Sequence, residues 1–180
     1  MTVIVAVPHN GRVYMGADSR ATQGWSIIEL AEPKLWKQGG LLLGFTGAIR
    51  EQQILQFCTA IPARSDDVDV LHWLCSDFVG AVRAARQSAG YDVKCPSPAC
   101  DAGPSLAIGV EGRLFEVFAD YSIAERLAAT AIGSGGVEAK ASLHTTAGMR
   151  MAVRKRIDLA LATACALDAG CSPPFTYGHE

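Results

Sequence analysis

Four polar residues stand where hydrophobic patterning alone would not put them: Thr2, Asp18, Lys34 and Ser134. Thr2 follows the initiator methionine and opens the apolar run TVIVAV, and Asp18 closes a second run, RVYMGAD. Lys34 lies between Pro33 and Leu35, and Ser134 sits in GSGG. Once the residue before it is removed, a threonine carries a hydroxyl nucleophile and a free α-amine. That amine, with an ordinary pKa of about 8, is a base near neutral pH. A lysine beside it favours the neutral amine and the ionised hydroxyl by charge. An aspartate holds the lysine in place and compensates its burial. A strand end bounded by glycine lets a backbone N–H approach a developing oxyanion, and GFTG offers Gly47 for that role. Together these groups suit a threonine nucleophile activated by its own α-amine. Taken singly, each has a plainer reading: a frayed terminus for Thr2, a turn former for Asp18, a snorkelling surface lysine for Lys34 and a helix N-cap for Ser134.

The segments that must position these residues are legible as hydrophobic patterns. TVIVAV is apolar at nearly every position, which predicts a strand buried on both faces. PHNG supplies turn residues, so residues 2–18 read as a β-hairpin. WSIIELAEPKLWKQ reads as strand pieces broken at Pro33, and GGLLLGFTG as a buried strand ended by glycine. From Ala48 to Ala60 the pattern becomes helical. DVDVLHWLCSDFVGAVRAARQSAG is an amphipathic helix, with Leu71, Leu74, Phe78, Val82 and Ala85 at steps of three and four. Asp67 or Asp69 caps its start and Gly90 its end. GYDVKCPSPACDAGP is a loop. SLAIGV, GRLFEVFAD and ATAIGSGG read as strands, the first two joined by an EG turn. GVEAKASLHTTAG and RMAVRKRIDLALATACALDAG read as helices, and FTYG as a last strand. Strands, two helices, strands, two helices predict an α+β sandwich of two largely antiparallel sheets, each covered by a helix pair, in a single domain over residues 1–180.

Composition narrows the partners. The 180 residues are 49% apolar and 19% charged with a formal net charge of -2, a globular profile with no block of like charge. Neither nucleic acid nor an anionic membrane is an expected partner, and neither a membrane span nor a secretory signal is expected. The six cysteines point to a reducing cytoplasm. Cys95 and Cys100, in KCPSPAC, have no second pair of the kind a structural metal needs, so no metal or other cofactor is expected.

TVIVAV…GRVYMGADSRAT, EPKLWK, LLLGFTG and AIGSGG, in that order, resemble the proteasome β-subunit family, including the bacterial HslV peptidase, within the N-terminal-nucleophile hydrolases. Counted from Thr2, Asp18 and Lys34 fall where that family places its catalytic aspartate and lysine. The resemblance implies a four-layer αββα sandwich and peptide-bond hydrolysis inside a homo-oligomeric ring, with peptides or unfolded proteins as substrates and an ATP-dependent unfoldase as a candidate partner. Thr2 is then the nucleophile, exposed by loss of Met1, with its own amine as base. Lys34 and Asp18 tune it, Gly47 forms the oxyanion hole and Ser134 supports the amine. Here no second glycine follows Gly47, so the oxyanion loop is expected to differ.

Asp168 lies four residues beyond Ala164 in the last helix. It is expected on that helix's buried face at its C-terminus, where a negative charge opposes the dipole. The family places an aspartate at this helix end near the threonine, followed three residues on by a serine, so Asp168 is expected beside Thr2 and Ser134. Cys171, with Ser172 next to it, stands at that third position. Glu32 and Trp36 share the face of Lys34 if that stretch is extended, and with Ala21 and Thr46 they form the expected substrate-binding set. Two other readings stay open: a non-catalytic structural ring subunit, and an amidase acting on a small molecule.

Overall fold

The computed structural model describes residues 1–23, 26–91 and 105–180. Cys95 and Cys100 lie outside the described residues. Three two-residue turns organise the strands. Asn10–Gly11, Gly39–Gly40 and Glu111–Gly112 all have positive φ (51° and 71°, 56° and 78°, 51° and 72°). That is the backbone of a turn whose twist matches the flanking strands. The first joins β1 (Ile4–His9) to β2 (Arg12–Asp18), with Ile4 opposite Ala17. The second joins β5 (Leu35–Gln38) to β6 (Leu41–Thr46). The third joins β7 (Ser105–Val110) to β8 (Arg113–Val117).

Strand order in one sheet is β10 (Thr130–Ile132), β1, β2, β11 (Phe175–His179). In the other it is β5, β6, β7, β8, β9 (Ile123–Glu125), and every pairing is antiparallel. A separate hairpin, β3 (Arg20–Gln23) with β4 (Ser26–Glu29), leaves the end of β2. β3 was not expected from the pattern, because its RATQ sequence lacks the apolar alternation that marks a strand.

Between the sheets pack Ile4, Ala6, Met15, Leu42, Ala107 and Leu114. The alternate residues of β1, Val5 and Val7, pack with Val3 on the other side against Leu143, Ile157 and Leu161 of the helices α4 (Gly136–Thr145) and α5 (Val153–Leu167). Burial on both faces explains why TVIVAV lacks polar alternation. The second sheet is covered by α1 (Ile49–Gln53), which continues as a wider turn over Ile54–Cys58, and by the helix Val70–Ser88. The latter comprises α2 (Val70–Trp73), a wide-turn stretch over Leu74–Phe78 and α3 (Val79–Ser88). Asp69 caps this helix by accepting from the Leu71 and His72 N–H groups, and Gly90 ends it at φ 65°. The molecule is thus a four-layer αββα sandwich. Among the described residues, no helix is long and apolar enough to cross a membrane.

Candidate active site

The strand registers bring three of the four polar residues together at one end of the first sheet. The Asn10–Gly11 turn sets β1 against β2 so that Asp18 falls opposite Val3. The Asp18 N–H donates to Val3 O at 3.2 Å, and its Oδ1 accepts from the Val3 N–H at 2.9 Å. On the other side β10 runs antiparallel to β1 with Ile132 opposite Ile4, and two residues further Ser134 meets Thr2. The Thr2 N–H donates to Ser134 Oγ at 3.0 Å, and that oxygen lies 3.3 Å from Thr2 O. The chain reaches this position through Gly133, at φ 99°, where a Cβ would lie 2.2 Å from Thr2 O. GSGG signalled a strand-to-helix junction but not this close approach.

Lys34 comes from the second sheet. It precedes β5, and its carbonyl accepts from Phe45 N at 3.2 Å, continuing the ladder with β6. Its ammonium donates to Asp18 Oδ1 at 2.8 Å and to Arg20 O at 2.6 Å. The two side chains are 4% and 0% exposed. Burial holds the Lys34 pKa below the usual lysine range, although Asp18 opposes that shift. An ammonium has three donors, so these two bonds leave a third. Asp18 Oδ2 also accepts from the Arg20 N–H at 3.2 Å and the Ser172 N–H at 3.5 Å, which shares out its charge.

Above this pair lies a cleft of about 360 Å³. Thr2, Lys34 and Gly47 line it, along with Arg20, Ala21 and Gln52. Gly47 ends β6 at φ 151°, a backbone region that favours glycine. Gln52 was not picked out by the sequence reading. It is buried, and its Nε2 donates to Pro33 O at 3.1 Å. Arg20 was missed as well; its Nη1 donates to Ala169 O at 2.6 Å. Nothing in a single arginine or glutamine distinguishes it from ordinary surface polarity. In the chain as it stands, Thr2 N is the amide of the Met1–Thr2 peptide bond, and Thr2 Oγ donates to Met1 O at 2.6 Å. The Met1 side chain lies over Gly170, where an added Cβ would come 2.2 Å from Met1 Cβ.

Asp168 stands at the C-terminal end of the last helix, as expected. It is the residue just past α5, with extended backbone (φ −110°, ψ 111°), and is half-buried. Its Oδ1 accepts the Gly170 N–H at 2.7 Å. Burial raises its pKa, but the Ser134 hydroxyl and the Gly170 N–H outweigh this and hold it low. Ser134 itself bonds Thr2, so Asp168 lies on the same polar path. Cys171 is 2% exposed, with Sγ 3.5 Å from Asp168 Oδ2. Burial and the charges of Asp18 and Asp168 push its thiol up to about 12.

Three of the expected substrate-binding residues do not line the cleft. Trp36 packs into the core beneath α1–α3 and donates its indole N–H to Gln38 Oε1 at 3.0 Å. Lys34 lies before the first residue of β5, so spacing within that strand does not put it on the face of Trp36. Glu32 is exposed on the bend before Pro33. The Thr46 hydroxyl is buried against the Ser105 backbone, 3.4 Å from both its O and its N. Ala21 alone of that set borders the cleft. Among the described residues, no group of three or more His, Cys, Asp or Glu could hold a metal ion.

No protein-family model matches the sequence, and no curated protein matches it. Solved structures do. Thiobacillus denitrificans BPH is 17% identical with a TM-score of 0.83, the match covering 99% of this chain and 97% of that one. Eukaryotic HslV from Trypanosoma brucei is 18% identical with a TM-score of 0.69, covering 99% and 98%. The Anbu complex from Pseudomonas aeruginosa, described as a helical assembly, is 13% identical with a TM-score of 0.71, covering 99% and 81%. At these identities the common property is the fold. The chain shares its four-layer αββα fold with these structures.

Proposed function

We propose that residues 1–180 form one domain that serves as a threonine-type endopeptidase subunit of a closed, self-compartmentalised ring in the cytoplasm. The observation that carries this reading is the buried Lys34 ammonium, held between Asp18 Oδ1 and Arg20 O at the base of the cleft that Thr2 and Gly47 share. A lysine kept dry at such a position is costly unless its charge is used.

Loss of Met1 frees the Thr2 amine, which Ser134 and, through it, Asp168 hold in place. The amine takes the Oγ proton, and Oγ attacks the substrate carbonyl while the Lys34 charge favours the alkoxide. The Gly47 N–H stabilises the oxyanion. Collapse of the intermediate breaks the C–N bond, and the amine returns the proton to the leaving nitrogen. Water, deprotonated by the same amine, then cleaves the threonine ester. Substrate side chains contact Ala21 and Gln52. A ring encloses the nucleophile and restricts it to unfolded chains, so an ATP-dependent unfoldase is the partner class to seek.

The test joins mass to turnover. The active protein lacks one methionine by intact mass, and Thr2→Ala abolishes cleavage of casein and fluorogenic peptides in a folded chain. Epoxomicin, which a Thiobacillus denitrificans BPH structure of the same fold contains, leaves an adduct that maps to Thr2. Full activity in a preparation that quantitatively retains Met1 rules the mechanism out.

A further inference from the structure

Basic side chains are not spread evenly over this molecule. The chain carries a formal net charge of -2. Yet Arg126, Lys140, His144 and Arg156 line one cavity of about 420 Å³, and no Asp or Glu lines it with them. They come from three separate segments, so no run of like charge announces them in the sequence. Lys140 and His144 stand four apart on α4 and share a face of that helix. Arg156 comes from α5, and its Nη2 donates to Leu143 O at 3.2 Å, which ties the guanidinium to the end of α4. Arg126 directly follows β9. The volume falls within the range of about 300–1,000 Å³ usual for small-molecule sites.

The charge gathered here is only partly neutralised. Arg126 Nε lies 3.5 Å from Oε2 of Glu116, a buried carboxylate that does not line the cavity and that also accepts from Thr130 Oγ1 at 3.5 Å. Among the described residues, Lys140 and Arg156 have no ion-pair partner. Arg156 Nε is buried and makes no hydrogen bond. A guanidinium drawn out of water is ordinarily paired with an anion. This one has a backbone carbonyl and no counter-charge. His144 supplies an N–H in either protonation state. The rest of the lining is largely apolar, including Val7, Pro8 and Leu127. The cavity is separate from the cleft of Thr2. Thr2 and Ser134 mark one end of the β1–β10 pair, and Val7, Pro8 and Thr130 mark the other. Val7 is five residues beyond Thr2, about 17 Å at the rise of a strand.

We propose that this cavity binds a phosphate dianion, either free or as the head of a small monoester whose apolar substituent lies against Val7 and Pro8. Two unpaired cations and an imidazole match a doubly charged anion better than a single carboxylate. Binding here is independent of peptidase chemistry and is read on processed or unprocessed protein alike. Inorganic phosphate and butyl phosphate are titrated calorimetrically into the purified chain at constant ionic strength and pH 7.5. One site per chain is expected. Tighter binding of butyl phosphate identifies a monoester site, and equal binding identifies a site for free phosphate. Lys140→Met weakens binding roughly 10-fold, the loss of one charge-assisted contact. Ala147→Asp, which adds a carboxylate to the lining, abolishes it. Lys140 and Ala147 are both exposed, so the fold tolerates either change. Lys155→Met removes the same charge from an exposed position of α5 that does not line the cavity, and leaves binding at the wild-type level. If Ala147→Asp does not fold, Lys140→Met against Lys155→Met decides. Absence of binding by either probe at 10 mM (roughly a Kd of no interest for a site), wild-type binding in Lys140→Met, or equal weakening in Lys140→Met and Lys155→Met overturns the proposal.

Discussion

Replacing Lys34 by methionine keeps the length of the side chain and removes its charge. Asp18, with no exposed side-chain surface, then loses its only ion-pair partner among the described residues. Breaking a buried pair from one side costs about 3–5 kcal/mol. Two features of the site push toward the low end. Asp18 keeps the Val3, Arg20 and Ser172 N–H groups, at 2.9, 3.2 and 3.5 Å. Burial also disfavours the Lys34 ammonium, so its removal returns part of the desolvation cost. The expected loss is about 3 kcal/mol, or roughly 6–12 °C in Tm for a chain of this size. Turnover should fall at least about 10³-fold, because nucleophile and activating groups act as a unit. Urea unfolding and peptide hydrolysis, both on Met1-free protein, measure the two effects. A variant within about 0.5 kcal/mol of wild type would refute the burial argument. One retaining a tenth or more of wild-type turnover would refute the catalytic one.

The same pair carries a pH signature. Lys34 titrates below 10.5 when folded, so between its folded pKa and 10.5 the unfolded chain binds the extra proton. The stability that Lys34 contributes therefore rises with pH through that window and is complete above it. Wild type should gain on Lys34→Met as pH approaches 10.5, and a flat difference in unfolding free energy contradicts the shift. Asp168→Asn is expected to lower kcat strongly while costing less than about 1 kcal/mol, since the half-buried carboxylate is partly solvated and Asn still accepts the Gly170 N–H; unchanged turnover removes Asp168 from the site. The exposed Cys58 and Cys75 should alkylate readily in the native protein at pH 8, whereas Cys171, with a thiol pKa of about 12, should react only on unfolding. Peptide mapping that finds Cys171 modified as fast as Cys58 would contradict its burial.

Local chemistry determined much of this protein before any tertiary contact. Asn10–Gly11 and Glu111–Gly112 specify two-residue turns, and a turn of defined length sets the register. Through that register alone Asp18 arrives beside Val3, and hence beside Thr2. The doubly apolar β1 announces cover on both faces, and Asp69 and Gly90 mark the ends of their helix by capping chemistry. Helix periodicity likewise located Leu74, Phe78 and Val82 in the core.

The rest depends on contacts between residues far apart in sequence, which carry no local signal. That Lys34 crosses from one sheet to an aspartate in the other was readable only through the family resemblance. Trp36 shows why spacing alone misled: its partner in the comparison lies outside the strand, where alternation no longer applies. Asp168 finds its backbone partner in Gly170, beyond the helix, and periodicity cannot name a partner outside the helix it describes. Glu51 and Arg86 belong to separate helices, each pattern complete without the other. Their meeting follows from how those helices pack on the sheet, and that packing is a property of the whole fold.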